Sequence, residues 1–271
     1  MNYRHGYHAG NFADVVKHVA LVAILIHLKK KDTAFSVIDS HAGRGRYDLA
    51  GSEAVRTGEA QGGIVRLSDL GGEMPEALST YLSLAKESGV NAYPGSPLIA
   101  AKLLRPQDRL TAIEKHPEEF AALRDVLALF RNVQCENADG YARAPKLLPP
   151  PSRRGLVLMD PPFESPDEFS DLARAVREAY RKFATGIYLV WYPIKSEAEA
   201  KAFVGEVLAG GIAKALTIEI RIVAPEGKLD RAGLLVINPP YGFEAEMGQV
   251  AQLLGPRLDG EIALTWVAGS E

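Results

Sequence analysis

Residues 34–45 read Ala-Phe-Ser-Val-Ile-Asp-Ser-His-Ala-Gly-Arg-Gly: a short apolar run ending in an acid, then a turn with two glycines one residue apart. The short apolar run over 34–39 predicts a strand, and glycines just past its end let backbone amides come close to a ligand at the carboxyl edge of a parallel sheet. A tight strand-to-helix turn is the plainer alternative, and the flanking residues narrow the choice. The third glycine of a dinucleotide-type Gly-x-Gly-x-x-Gly would fall on Asp48, and no Gly-x-x-x-x-Gly-Lys-Ser/Thr phosphate loop occurs anywhere. What is left is an acid followed by Gly-x-Gly, a pattern found at S-adenosylmethionine sites.

Upstream of this stretch, residues 11–30 predict a helix that Asn11 can cap, with Phe12, Val15, Val16, Val19, Val22 and Ile26 at helical spacing and lysines at its C-terminal end. Its run Val19–Ile26 is far shorter than the roughly 20 apolar residues a membrane span needs. Lysines follow where a leader peptide would be cleaved.

Downstream, strands are expected near 110–114, 132–135, 155–160 and 186–192, with helices over 117–130, 167–183 and 196–209. This β-α-β rhythm predicts an α/β fold with a mostly parallel sheet and helices on both faces. Strands near 215–223 and 233–237 look like a hairpin closing the sheet edge, and a last strand is expected at 261–267. About 70 residues separate the first two strands, too many for one loop and helix. Residues 51–93, with a helical pattern at 75–86, are therefore expected to form a small helical insertion, and residues 1–50 with 94–271 the main domain.

The 271 residues are 47% hydrophobic and 24% charged, a globular composition with a net charge of −3, so any nucleic-acid surface must be local. Cys135 is the only cysteine, which excludes an intrachain disulfide and thiolate-rich metal sites and fits a cytoplasmic protein.

Three further acidic points fall at predicted strand ends. Glu114 can offer two carboxylate oxygens to the ribose hydroxyls of an adenosyl group, and Asp139-Gly140 can approach its adenine. Asp160-Pro161-Pro162-Phe163 matches the (Asp/Asn)-Pro-Pro-aromatic motif of enzymes that methylate exocyclic or amide nitrogens. An adenine N6 lone pair is delocalised into the ring, so a carboxylate and a backbone carbonyl that accept its two N–H bonds favour the more nucleophilic, pyramidal nitrogen. The prolines stiffen that loop, and Phe163 offers a stacking face. A second match, Asn238-Pro239-Pro240-Tyr241, follows a hairpin strand with no cofactor loop before it, and reads as a structural turn that flanks the site at most.

Five of six histidines lie within the first 41 residues. His5-x-x-His8 lacks cysteines and a third ligand, so no metal is expected, and Tyr3, Arg4, His5, His8 and Lys17 are read as pocket or RNA contacts. Arg44, Arg46, Arg153, Arg154, Arg181 and Lys182 are candidates for phosphate contact.

Together these residues resemble a family, the RlmJ-type bacterial 23S rRNA adenine-N6 methyltransferases. The likeness runs through Tyr3-Arg4-His5, His8-Ala9-Gly10-Asn11, Lys17-His18, 39–47, 93–99, Asp139-Gly140, 152–163, 183–193 and 237–240. It implies a Rossmann-like class I methyltransferase with a seven-stranded type of sheet, using S-adenosyl-L-methionine and yielding S-adenosyl-L-homocysteine. It further implies a single target adenine of 23S rRNA, position 2030 in the reference numbering, modified on unassembled rRNA by a monomer with no obligatory protein partner. Carried onto this chain, the cofactor contacts are His18, His41, Ser96, Glu114, Asp139 and Gly140, with Lys17 nearby, and the strand-end motifs add Asp39, Gly43 and Asp160. Asp160 with Pro161 and Phe163 is catalytic, and Tyr3 touches RNA. The motif usually ends in tyrosine, so Phe163 keeps stacking and loses the hydroxyl. The competing readings are a DNA adenine or protein glutamine N-methyltransferase and a non-catalytic RNA-binding assembly factor.

Overall fold

The computed structural model describes residues 5–225 and 227–270, so Tyr3 and Arg4 lie outside the described residues. The chain opens with α1 (Phe12–Lys29) and β1 (Ser36–Asp39). A ribbon of β2 (Arg46–Asp48) and β3 (Ala92–Pro94) brackets α2 (Ser52–Thr57) and α3 (Glu76–Glu87). Then come α4 (Ser96–Leu103), β4 (Arg109–Glu114), α5 (Pro117–Leu127), β5 (Val133–Asn137), α6 (Gly140–Arg143), β6 (Gly155–Met159), α7 (Glu168–Lys182) and β7 (Ile187–Pro193). The chain finishes with α8 (Glu197–Leu208), β8 (Ala215–Ile222), β9 (Arg231–Ile237), α9 (Phe243–Arg257) and β10 (Gly260–Ala268).

One eight-stranded sheet runs β10-β8-β9-β7-β6-β1-β4-β5. The pairs from β7 to β5 are parallel, and β9, β8 and β10 join antiparallel. The expected hairpin β8–β9 is present but does not close the edge. Its β9 pairs with β7, and β10, one strand beyond the seven-stranded pattern, forms the edge. Because side chains alternate across a strand, neighbours serve opposite cores. Val37, Leu156, Leu158 and Leu189 pack with α1, α3, α4 and α9, whereas Ile38, Val157, Met159 and Val190 pack with α7 and α8. Both faces are covered, as a parallel sheet requires.

Helix α1 is buried on nearly every side, and Asn11 caps it by accepting from the Asp14 backbone N–H at 2.9 Å. Three of its buried residues, Asp14, Lys17 and His18, are polar, and buried polar groups need partners. Those partners build the site. Leu78, Tyr81 and Leu84 of α3 join the same apolar cluster as α1, so residues 51–93 share a core with the sheet. No helix among the described residues is long and apolar enough to cross a membrane.

Candidate active site

The first strand decides the position of the site. Strands β1, β4 and β6 run parallel, with Asp39 at the end of β1 beside Ala112 and Leu158 near the ends of β4 and β6, so the loops that follow emerge at one sheet edge. There they enclose a cavity of about 380 Å³ lined by His5, Lys17, His18, His41, Gly43, Ser96, Glu114, Asp139, Gly140 and Asp160.

Several of these groups are fixed by the chain itself. Gly43 sits at φ +60°, where a side chain is strained, and its N–H donates to Glu114 Oε2 at 2.8 Å. The other Glu114 oxygen accepts from the His116 N–H at 2.7 Å. Each oxygen keeps a further lone pair, so the carboxylate is oriented without being saturated. Burial raises its pKa. Gly140 has no room for a side chain, since a Cβ would lie 2.0 Å from the Ser40 carbonyl oxygen. Asp139 caps α6 through the Ala142 N–H and accepts from Lys115 Nζ at 2.8 Å. His41 pairs with Ser40 Oγ at 2.7 Å, and burial pushes it down to about 4.

Asp39 is the departure. It does not line the cavity but lies behind Ser96, whose hydroxyl donates to Asp39 Oδ2 at 2.7 Å. Its Oδ1 is buried without a hydrogen-bond partner among the described residues. Burial, with Asp160 close by, pushes its carboxyl up to about 7.

Lys17 reaches Asp14 Oδ1 at 2.7 Å and also donates to Asp160 Oδ2. Burial alone would lower its pKa, but the two carboxylates hold it above the ordinary lysine value. Asp14 in turn accepts from the Gly10 N–H and pairs with His5 Nε2, both at 2.9 Å. Although burial opposes it, His5 and Lys17 keep this carboxyl well below its usual range. His18, in the next position, pairs through Nδ1 with the Tyr93 hydroxyl at 2.8 Å, and Tyr93 meets the Tyr81 hydroxyl at 3.0 Å. Burial pushes His18 down to about 3, so it is neutral.

A second cavity, of about 350 Å³, adjoins the first and shares His5, Lys17, Asp160 and Pro162 with it. His8, Phe163, Trp191, Lys195 and Lys228 line it, and His8 Nδ1 pairs with Glu59 Oε2 at 2.9 Å. Phe163 adopts φ +51°, an unusual backbone for a bulky residue, and its ring meets Phe169 and Trp191 edge-on at 4.8 and 5.6 Å. Sequence reasoning missed Trp191, Lys195 and Lys228. The signal for Trp191 was its place near the carboxyl end of the strand next to β6.

Other expectations are corrected. Asn238 follows β9, which runs antiparallel, so Ile237 pairs with Tyr188 at the start of β7, the sheet edge remote from Asp160. There the Asn238 side chain donates to the Ala184 and Gly186 carbonyls, and the second motif does not flank the site. Arg153 and Arg154 precede β6 at that same remote edge, where Arg154 binds the Leu28 and Thr33 carbonyls. Arg44 is held by Glu119 through two hydrogen bonds. No group of three or more histidine, cysteine or acidic residues suited to a metal occurs among the described residues.

A parallel sheet with this strand order, antiparallel strands appended beyond β7 and a cavity across the ends of β1, β4 and β6 defines a Rossmann-like methyltransferase. The family described as ribosomal RNA large subunit methyltransferase D, RlmJ, matches residues 32–268. Two relatives named ribosomal RNA large subunit methyltransferase J are each 39% identical. The Escherichia coli protein matches over 98% of this chain and 99% of its own length, and the Haemophilus influenzae protein over 98% and 97%. A Legionella pneumophila crystal structure superposes with a TM-score of 0.88 at 34% identity, covering 97% of this chain and 99% of that one. The chain belongs to the RlmJ family and is a ribosomal RNA methyltransferase.

Proposed function

We propose that this protein transfers a methyl group from S-adenosyl-L-methionine to N6 of a single adenine of 23S rRNA, position 2030 in the reference numbering, on unassembled rRNA in the cytoplasm. The observation that carries the reading is the place of Asp160, on the wall between the two cavities. The first cavity fits the cofactor. Glu114, Asp139 and Asp160 suit a cationic ligand with vicinal hydroxyls, and the Gly140 backbone leaves no room for a Cβ. When bound there, the cofactor supplies an electrophilic methyl group on a sulfonium.

The residues of the chain do the rest. Phe163 and Trp191 wall the second cavity with aromatic faces suited to an unstacked base. Asp160 and the backbone carbonyl of the Pro-Pro loop accept the two N6–H bonds, holding the lone pair toward the first cavity. Lys17, wedged between Asp14 and Asp160, anchors the catalytic carboxylate while leaving the triad with net charge −1, which favours the positive charge that develops on nitrogen. Once methylated, the nitrogen is acidic, and Asp160 takes its proton. Lys195 and Lys228 supply phosphate contacts at the cavity rim, together with His5 and His8, and Tyr3 and Arg4, outside the described residues, are further RNA contacts on this reading.

The test sets unmodified 23S rRNA, duplex DNA and a release factor side by side as methyl acceptors. Transfer to the rRNA, lost in Asp160→Ala, is the expected result. Transfer to DNA or to the protein instead would overturn the substrate assignment.

A further inference from the structure

Within the shared core, the two tyrosines behind His18 belong to the inserted segment and the ribbon that brackets its helices: Tyr93 lies on β3 and Tyr81 on α3. Both are fully buried, and their hydroxyls with His18 Nδ1 form one chain of contacts of 3.0 and 2.8 Å. Two proton arrangements are available. If Nδ1 carried the proton, it would donate to Tyr93 and Tyr93 to Tyr81, leaving the Tyr81 O–H buried with no acceptor among the described residues. If Tyr81 donates to Tyr93 and Tyr93 to Nδ1, every hydroxyl proton is used, a hydroxyl lone pair stays unpaired, and the Nε2–H faces the first cavity. An orphaned buried donor costs more than a spare lone pair, so the second arrangement wins. The neutral imidazole then carries its proton on Nε2, which has no protein partner among the described residues, while the ring lines the first cavity.

We infer that Tyr93 and Tyr81 are positioning residues that lock His18 in the Nε2–H tautomer, making it a hydrogen-bond donor to the carboxylate of S-adenosylmethionine. This rests on the reading that the first cavity holds that cofactor. The carboxylate is the one anionic group of the ligand, and the nearby Lys17 ammonium is already shared by Asp14 and Asp160. On this account the inserted segment serves the cofactor pocket through a two-hydroxyl relay.

The test has two readouts. Nitrogen-15 NMR of histidine-labelled protein without ligand, with the His18 signal assigned by its loss in His18→Gln, should show Nδ1 bare and Nε2 protonated. In Tyr93→Phe that signature should become a tautomer mixture, and S-adenosylmethionine affinity should fall about 2- to 12-fold, the range of one hydrogen bond. Affinity for 5′-methylthioadenosine, which lacks the amino-acid part, should not change. Tyr81→Phe keeps the Tyr93 hydroxyl and should show a smaller loss, so the relay can be read even if Tyr93→Phe folds poorly. An Nδ1–H signal in the unaltered protein would overturn the inference, as would equal affinity losses for both ligands. A protein that binds neither ligand would remove the cofactor reading and this donor role together. Unchanged S-adenosylmethionine affinity in Tyr93→Phe would remove the donor role alone.

Discussion

Asp160 and Asp39 lie within electrostatic reach of each other, yet their surroundings give them different work. Asp160 is bonded to Lys17 and borders both cavities, whereas Asp39 is sealed behind Ser96. Asp160→Ala should lower methyl transfer about 100- to 10,000-fold, far more than it lowers cofactor affinity, because it removes an interaction made to the reacting nitrogen. Single-turnover kinetics beside cofactor titration checks this. Asp39 makes a prediction about pH. Its carboxyl titrates near 7 in the fold, against 3.8 ordinarily, so the folded chain keeps a proton that the unfolded chain releases. Stability from this group therefore falls as pH rises from about 4 to about 7. Asp39→Asn cannot ionise, so its stability relative to the unaltered chain should improve between pH 5 and pH 8, by up to about 3 kcal/mol. Urea unfolding at the two pH values measures that difference. Any pH-independent cost of the buried amide cancels in it.

The elements that carry periodicity were legible before the structure. Helix α1, its Asn11 cap, every strand of the main sheet and α5, α7 and α8 were read from apolar spacing to within a few residues. The short α2 and α6 were not, and neither were α4 and α9. At α4, Gly95 and Pro97 look like a loop, although proline is at home in the first turn of a helix. Helix α9 carries Gly248, Gly255 and Pro256, which weaken its pattern, and its packing in the core stabilises it. Strand-end acids and the glycine turn showed where the site lies. The sequence could not show that Lys17 binds Asp160 across 143 positions, because that pairing depends on how α1 lies against β6. Nor could it show that β9 runs antiparallel, which carries Asn238 to the remote edge. Since α1 places both Lys17 and His18, Asn11→Ala should cost about 1 kcal/mol of stability. It should also weaken cofactor binding, as thermal unfolding and cofactor titration will read.

On the scale of the whole molecule, a chain of net charge −3 meets a polyanion, so attraction must come from a few local cations. Lys195 and Lys228 lie on the rim of the second cavity. Replacing either by alanine should weaken RNA binding across sequences and reduce the slope of log affinity against log salt by about 1. Residues 51–93 share their core with the sheet through Leu78, Tyr81 and Leu84. We therefore expect them to unfold with the main domain. Leu78→Ala should lower the single urea midpoint seen by tyrosine and tryptophan signals alike, a loss of about 2–5 kcal/mol.

The central claim is methyl transfer to one adenine nitrogen of rRNA from a site organised around Asp160. Its most direct test is transfer of a labelled methyl group from S-adenosylmethionine to unmodified 23S rRNA, with the modified nucleoside identified and placed by mass spectrometry. The account predicts N6-methyladenosine at a single position, absent with Asp160→Ala. Label in another nucleoside, or cofactor binding with no transfer to RNA, would contradict it.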